Sequence, residues 1–306
     1  MSRTERGPRR RPAGPTRRDV VEGIARELSE HGIESPRPEA ERLVSAVLGV
    51  PRSELQVEGG ARLAADEALE VARAVARRVG REPLQHIEGA AEFRELVLVS
   101  DRRALIPRPE TEELVDLIVR RTAGGPVGRA LDVGVGSGAI ALSLLVEGLA
   151  GHVVGLDVSP EAIEQARENA ARAGVADRLE LRRSGPDIWS AVASEDSFDL
   201  IVSNPPYVPS AEIERLEPEV RDHDPRAALD GGPDGLDVIR RLVAGAPGAL
   251  RPGGRLFVEI GADQGDRVRR LLEDAGPWSD VSIEPDLGGR PRFASARLRD
   301  PARPRG

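Results

Sequence analysis

The chain contains no cysteine and no lysine; all 44 of its Lys and Arg residues are arginine. Without a thiol, disulfides, thiolate zinc sites and cysteine nucleophiles are excluded, so any chemistry must use other groups. Asparagine occurs only at Asn169 and Asn204, and the single tyrosine is Tyr207. Scarce lysine and asparagine point to a coding bias against A/T-rich codons, which makes the few exceptions informative. No apolar run approaches the roughly 18 residues that a membrane span requires. A formal net charge of −8 argues against the broad basic surface with which proteins follow duplex nucleic acid. A protein or small-molecule substrate fits that balance better.

At 306 residues the chain has room for one large α/β domain and a smaller companion. Residues 1–16 are rich in Arg, Gly and Pro with little apolar content, and they read as a disordered basic tail. No apolar segment and small-residue cleavage site follow them, so they do not read as a secretory signal, and the expected location is the cytoplasm. Residues 17–84 carry apolar side chains at helical spacing (Val20, Val21, Ile24, Leu28; then Leu43, Val44, Val47; then Val71, Val75, Val79), which predicts a small helical domain. Residues 85–106 shift to short apolar runs, Phe93 and Leu96 to Val99, and read as a β-hairpin connector. From 107 to 306, strands alternate with helices, the pattern of a mostly parallel sheet with helices on both faces.

Two segments of the larger domain carry chemistry. The first is Leu131-Asp132-Val133-Gly134-Val135-Gly136-Ser137-Gly138, an apolar strand entering a glycine-rich turn that opens a helix. Glycine there lets backbone approach a ligand closely. Nineteen residues beyond Gly138, Asp157 ends the next predicted strand, where an acid accepts hydrogen bonds from ribose hydroxyls. Turn and acid together indicate a nucleoside cofactor. The Gly-x-Gly-x-Gly spacing differs from the dinucleotide fingerprint, whose third glycine falls one residue later, and favours S-adenosylmethionine.

The second segment, Ser203-Asn204-Pro205-Pro206-Tyr207, closes a predicted strand on the same edge of the sheet, the edge at which open α/β sheets bind ligands. Asn204 offers a carbonyl acceptor, Pro205 keeps its backbone carbonyl while lacking a donor, and two successive prolines stiffen the chain. Tyr207 supplies a flat face for stacking. Such a group clamps a planar amine, either an amide or an exocyclic amino group of a base. No lone histidine offers a rival: His31, His86, His152 and His223 lack metal-ligand spacing, and no metal site is expected. The acidic run Glu212, Glu214, Glu217 and Glu219 reads as a solvated face.

With these motifs in view, the sequence resembles the PrmC/HemK family of protein-glutamine N5-methyltransferases over about residues 20 to 298. Further matching segments are Pro83 to Gly89, Leu105-Ile106-Pro107-Arg108-Pro109-Glu110-Thr111-Glu112, Leu229 to Leu236, Leu250 to Gly254 and Glu259-Ile260-Gly261. The resemblance implies a Rossmann-like class I S-adenosylmethionine-dependent methyltransferase sheet behind a small N-terminal helical domain. It also implies transfer of a methyl group to the glutamine amide of a Gly-Gly-Gln loop in class-one peptide-chain release factors. Carried over residue by residue, Gly134, Val135, Gly136, Ser137 and Gly138 would line the methionine end of the cofactor and Asp157 its ribose, while Trp189 would flank the adenine. Asn204, Pro205, Pro206 and Tyr207 would hold the substrate glutamine, with Asn204 also beside the cofactor, and the helical domain would help grip the partner. The enzyme is expected to be a monomer that needs no direct nucleic-acid contact. The stretch Ser184 to Ile188 departs from the family's usual Gly-Asp before an aromatic, leaving burial of Trp189 in the core as its competing role. An adenine methyltransferase, which shares Asn-Pro-Pro-Tyr, would need a basic groove or a target-recognition domain, and neither is evident. Methylation of a ribosomal-protein glutamine fits less well, because Pro-Glu-Thr-Glu follows Pro107-Arg108; a catalytically silent module is disfavoured by Asn204 and Tyr207.

Overall fold

The computed structural model describes residues 14–122, 125, 127–185 and 187–300; most of the expected basic tail, 1–13, lies outside them. The chain divides into two compact units, the first ending at Glu88 and the second starting at Gly89.

The first unit is all helical: α1 (Arg17–Glu30), α2 (Pro36–Leu48), α3 (Arg52–Val57), α4 (Ala65–Val79) and α5 (Leu84–Glu88). Thr16 caps α1 by accepting from the Asp19 amide at 3.2 Å while Asp19 accepts from the Thr16 amide, a reciprocal pair that satisfies otherwise orphaned donors. The predicted helical stripes meet in one core of Val21, Ile24, Leu28, Leu43, Val44, Val71 and Val75. This unit runs past the expected boundary at 84, because Leu84 is buried in that core and Glu88 accepts from Arg42 Nε at 2.8 Å.

The second unit begins with the antiparallel hairpin β1 (Ala90–Phe93) and β2 (Leu96–Val99). The hairpin forms as expected, but it is not merely a connector: Phe93, Leu96 and Leu98 are buried in the main core of this unit. Its turn residue Arg94 binds Glu147 (2.5 and 2.7 Å) and Asp116 (2.7 Å). Then follow α6 (Pro109–Arg121), β3 (Val127–Val133), α7 (Ala139–Val146), β4 (Ala150–Asp157), α8 (Pro160–Arg172), β5 (Leu179–Arg183) and β6 (Phe198–Ser203). The chain closes with α9 (Pro218–Arg221), α10 (Asp237–Ala249), β7 (Leu250–Glu259), α11 (Gly265–Asp274), β8 (Trp278–Pro285) and β9 (Pro291–Leu298).

Strands β3 to β9 form one seven-stranded sheet in the order β5-β4-β3-β6-β7-β9-β8. β3 through β7 are parallel, and β9 and β8 join antiparallel. Side-chain alternation splits the core into two layers. Ala130, Val153, Leu200 and Phe257 face a layer with Leu114, Leu142 and Ala166, whereas Leu131, Val154, Ile201 and Leu256 face a layer with Ile239, Leu242 and Val268. The order of connection reverses at β3, with β4 on one side and β6 on the other, so the loops after β3 and β6 lead away in opposite directions and leave a crevice at the C-terminal ends of these strands. No helix among the described residues is long and apolar enough to cross a membrane.

Candidate active site

The glycine turn after β3 has φ of +78° at Gly134, +53° at Gly136 and +89° at Gly138, a left-handed region that side chains rarely tolerate. The Gly134 and Val135 amides both donate to the Leu156 carbonyl at 2.8 Å, which ties the turn to the end of β4. Asp157, the next residue, accepts from the Gly136 and Ser159 amides, each at 2.9 Å. Burial pushes its carboxyl above the ordinary range, against backbone donors that favour the charged form. Beneath the turn, buried Asp132 accepts from the Ala141 amide in the first turn of α7 at 3.1 Å, and burial pushes its carboxyl up to about 7. The other rare asparagine also serves this region: Asn169 donates to the Ser137 carbonyl at 2.9 Å and accepts from the Val99 amide at 2.7 Å.

Across the crevice, Ser203 ends β6 with its hydroxyl donating to the Val133 carbonyl at 2.7 Å. The following Asn204 donates from Nδ2 to Thr111 Oγ1 at 3.0 Å. Thr111 in turn donates to Glu259 Oε2 at 2.8 Å, and the Tyr207 hydroxyl donates to Glu259 Oε1 at 3.3 Å. Burial pushes the Glu259 carboxyl up to about 7. It also raises the Tyr207 phenol well above its ordinary value, with the Glu259 charge adding to the effect. The loop between β6 and α10 folds back on itself. The Val208 amide donates to the Leu229 carbonyl at 3.0 Å, the Gly231 amide donates to the Val208 carbonyl at 2.9 Å, and Gln264 Nε2 reaches the Tyr207 carbonyl at 2.9 Å. Gly235 permits this closure, since a Cβ there would lie 2.3 Å from the Tyr207 carbonyl.

A cavity of about 260 Å³ lies between the two arms. Of the predicted site residues, Gly134, Val135, Gly136, Ser137, Asp157, Asn204, Pro205 and Pro206 line it; Gly138, Trp189 and Tyr207 do not. Gly138 is instead a packing residue at the start of α7, where a Cβ would come within 3.1 Å of Leu142. Trp189 lies in a short 3₁₀ turn, Ile188–Ala191, with its indole N–H donating to the Arg241 carbonyl at 2.9 Å. Its ring rests on Gly245 of α10 so closely that a Cβ there would sit 2.0 Å from Nε1. The adjacent Ile188 takes the place in the lining that had been expected of Trp189. The Tyr207 hydroxyl is spent on Glu259, and its ring packs against the core layer under α10 instead of offering a stacking face in the cavity. Pro107, Arg108, Thr111 and Arg241 join the lining without having been assigned roles from the sequence. Arg108 is held at 2.6 Å by buried Asp224, whose own carboxyl burial pushes up to about 6.

A family model described as the PrmC N-terminal domain matches residues 19–89, and one described as a methyltransferase domain matches residues 127–273. A release factor glutamine methyltransferase from Deinococcus radiodurans is 41% identical over 280 residues, 92% of this chain and 98% of the relative. One of the same name from Geobacter sulfurreducens is 42% identical over 283 residues, covering 92% of this chain and 97% of the relative. The chain belongs to the release factor glutamine methyltransferase family. A crystal structure of a methyltransferase from Pyrococcus furiosus superposes on the enzyme with a TM-score of 0.50 at 21% identity, covering 67% of this chain and 90% of that one, which shows the shared fold. The fold is that of class I S-adenosylmethionine-dependent methyltransferases.

The cavity suits that cofactor. One end presents tight backbone and an acid at a strand terminus, able to meet an amino-acid group and a ribose diol. Gly134 to Ser137 and Asp157 would hold these parts, and Ile188 would lie against the flat face of the adenine. The opposite arm brings Asn204, Pro205 and Pro206 to the lining.

Proposed function

We propose that the enzyme methylates the side-chain N5 of the glutamine in the Gly-Gly-Gln loop of class-one release factors. The names of its relatives support the partner, and the Asn204–Thr111 hydrogen bond carries the chemistry. With Nδ2 engaged by Thr111, the Asn204 Oδ1 is the group left to accept from a substrate amide. An amide nitrogen is a weak nucleophile because its lone pair is delocalised into the carbonyl. Asn204 Oδ1 and the Pro205 carbonyl hold its two protons and aim the lone pair, which supplies orientation and electrostatic stabilisation without a strong base. S-adenosylmethionine supplies an electrophilic methyl group. As the new N–C bond forms and the S–C bond breaks, the nitrogen becomes acidic and releases one proton to water, restoring the amide. The helical unit helps grip the release factor; the enzyme works as a cytoplasmic monomer.

The test is to incubate the purified protein with S-adenosylmethionine and a release factor and to locate the added mass by fragment-ion spectrometry. One methyl on the Gly-Gly-Gln glutamine is the expected product. Transfer to adenine in DNA or RNA, with none to that glutamine, would overturn the reading.

A further inference from the structure

Thr111 and Glu259 lie 93 and 55 residues from Asn204 in the chain, yet they form its hydrogen-bonded support. Thr111 and Glu259 are both buried, at 4% and 1% exposure. An ionised carboxylate can only accept, and two hydroxyls donate to this one, from Thr111 at 2.8 Å and Tyr207 at 3.3 Å. Thr111 has a single hydroxyl proton and spends it on Glu259, so its oxygen must accept from Asn204, which commits the Asn204 nitrogen to Thr111 and leaves Oδ1 as the acceptor of that side chain. We propose that Glu259 is a positioning residue which, through Thr111, fixes the flip state of the Asn204 amide so that Oδ1 faces the substrate amide.

This inference rests on the reading of the site given above and adds to it a source for the amide's orientation. Protonated Glu259 would bring a donor of its own, freeing the Thr111 hydroxyl to turn and donate to Asn204. Asn204 would then flip and present N–H groups to a substrate that itself offers N–H groups. The groups facing Glu259 are Thr111 and Glu110 of α6, Tyr207 of the loop after β6, and Arg292 of β9. Burial, with Glu110 adding to it, opposes the ionised form, while the Thr111 hydroxyl, the Arg292 charge and the Tyr207 hydroxyl favour it. The switch therefore falls close to neutral pH, and the acceptor state belongs to its alkaline side.

The experiment measures kcat and KM for release-factor methylation over about pH 5.5 to 8.5, together with the pH dependence of the Asn204 side-chain amide resonances. In wild type, kcat falls on the acid side and the Asn204 resonances shift with the same midpoint. Glu259→Gln lowers kcat by about 100-fold, with S-adenosylmethionine affinity within about threefold and without the acid limb. If that variant fails to fold, the Thr111 pair decides: Thr111→Val gives a similar kcat loss, and Thr111→Ser restores the wild-type rate and pH profile. A Glu259→Gln or Thr111→Val enzyme within about twofold of wild-type kcat, or equal losses in Thr111→Ser and Thr111→Val, would overturn the relay. Wild type that leaves the release factor unmethylated while its Asn204 resonances follow the titration would overturn the functional reading and retain the relay.

Discussion

The two arms of the cavity are built from different materials. The glycine-turn arm is largely backbone: three positive-φ glycines, amides shared with the Leu156 carbonyl, and one acid that clasps the Gly136 and Ser159 amides. The Asn204 arm is a chain of side chains, Asn204 to Thr111 to Glu259 to Tyr207, gathered from three separate segments. Backbone binds a cofactor with little to reorganise, whereas side chains can be aimed at the one moment when an amide loses its resonance. Damage to the first arm should therefore weaken binding, and damage to the second should slow chemistry.

The sharpest test of that contrast is Asn204→Ala. Loss of the acceptor should lower kcat by about 10³-fold, with S-adenosylmethionine affinity by calorimetry within about threefold of wild type. A loss of affinity as severe as in Asp157→Ala would erase the distinction. Asp157→Ala itself should weaken cofactor affinity by about 10²-fold, since it removes a charged acceptor and unclasps the turn. At saturating cofactor its kcat should stay within about tenfold of wild type.

A smaller effect lies in stability. Asp132 and Glu259 have folded values of about 7 and Asp224 of about 6, all raised from ordinary carboxylate values by burial. Between about pH 4.5 and 7 the folded state thus holds more protons than the unfolded one, and stability falls as pH rises. Urea midpoints should be higher at pH 5.5 than at 7.5. Asp132→Asn should flatten this slope and add on the order of 1 kcal/mol at pH 7.5; an unchanged slope would mean that Asp132 is not a source of it. Least affected should be Trp189→Phe, which loses the bond to the Arg241 carbonyl, about 1 kcal/mol of stability, with cofactor affinity within about twofold. A tenfold loss of affinity would return Trp189 to the adenine end.

Eight of the eleven residues singled out from the sequence line the cavity, and they were legible before any fold was known because their signals are local. A strand, a glycine turn and an acid nineteen residues on form one β-α-β unit whose geometry follows from backbone sterics, and the two prolines after Asn204 stiffen their own loop. The placements that the sequence did not give share the opposite character. Trp189 and Ile188 are neighbours in a 3₁₀ turn, and which of them faces the cavity depends on Gly245, 56 residues later, offering a surface without a Cβ. Tyr207 turns toward Glu259 because β7 delivers a buried acid to that side of the loop. Thr111 and Glu259 stood in segments already marked by their resemblance to a family, yet nothing in the sequence placed them together.

The sequence by itself determined the two-unit division, the parallel sheet, the glycine turn with Asp157, and the Asn-Pro-Pro-Tyr loop, since each depends on periodicity and dihedral preference over a few tens of residues. Only the tertiary structure decided where the helical unit ends, that the hairpin joins the larger core, which side chains line the cavity, and which groups hydrogen-bond to Asn204. Those outcomes depend on burial and hydrogen bonds between groups as far as 148 residues apart, as Thr111 and Glu259 are, and chain proximity carries no information about them.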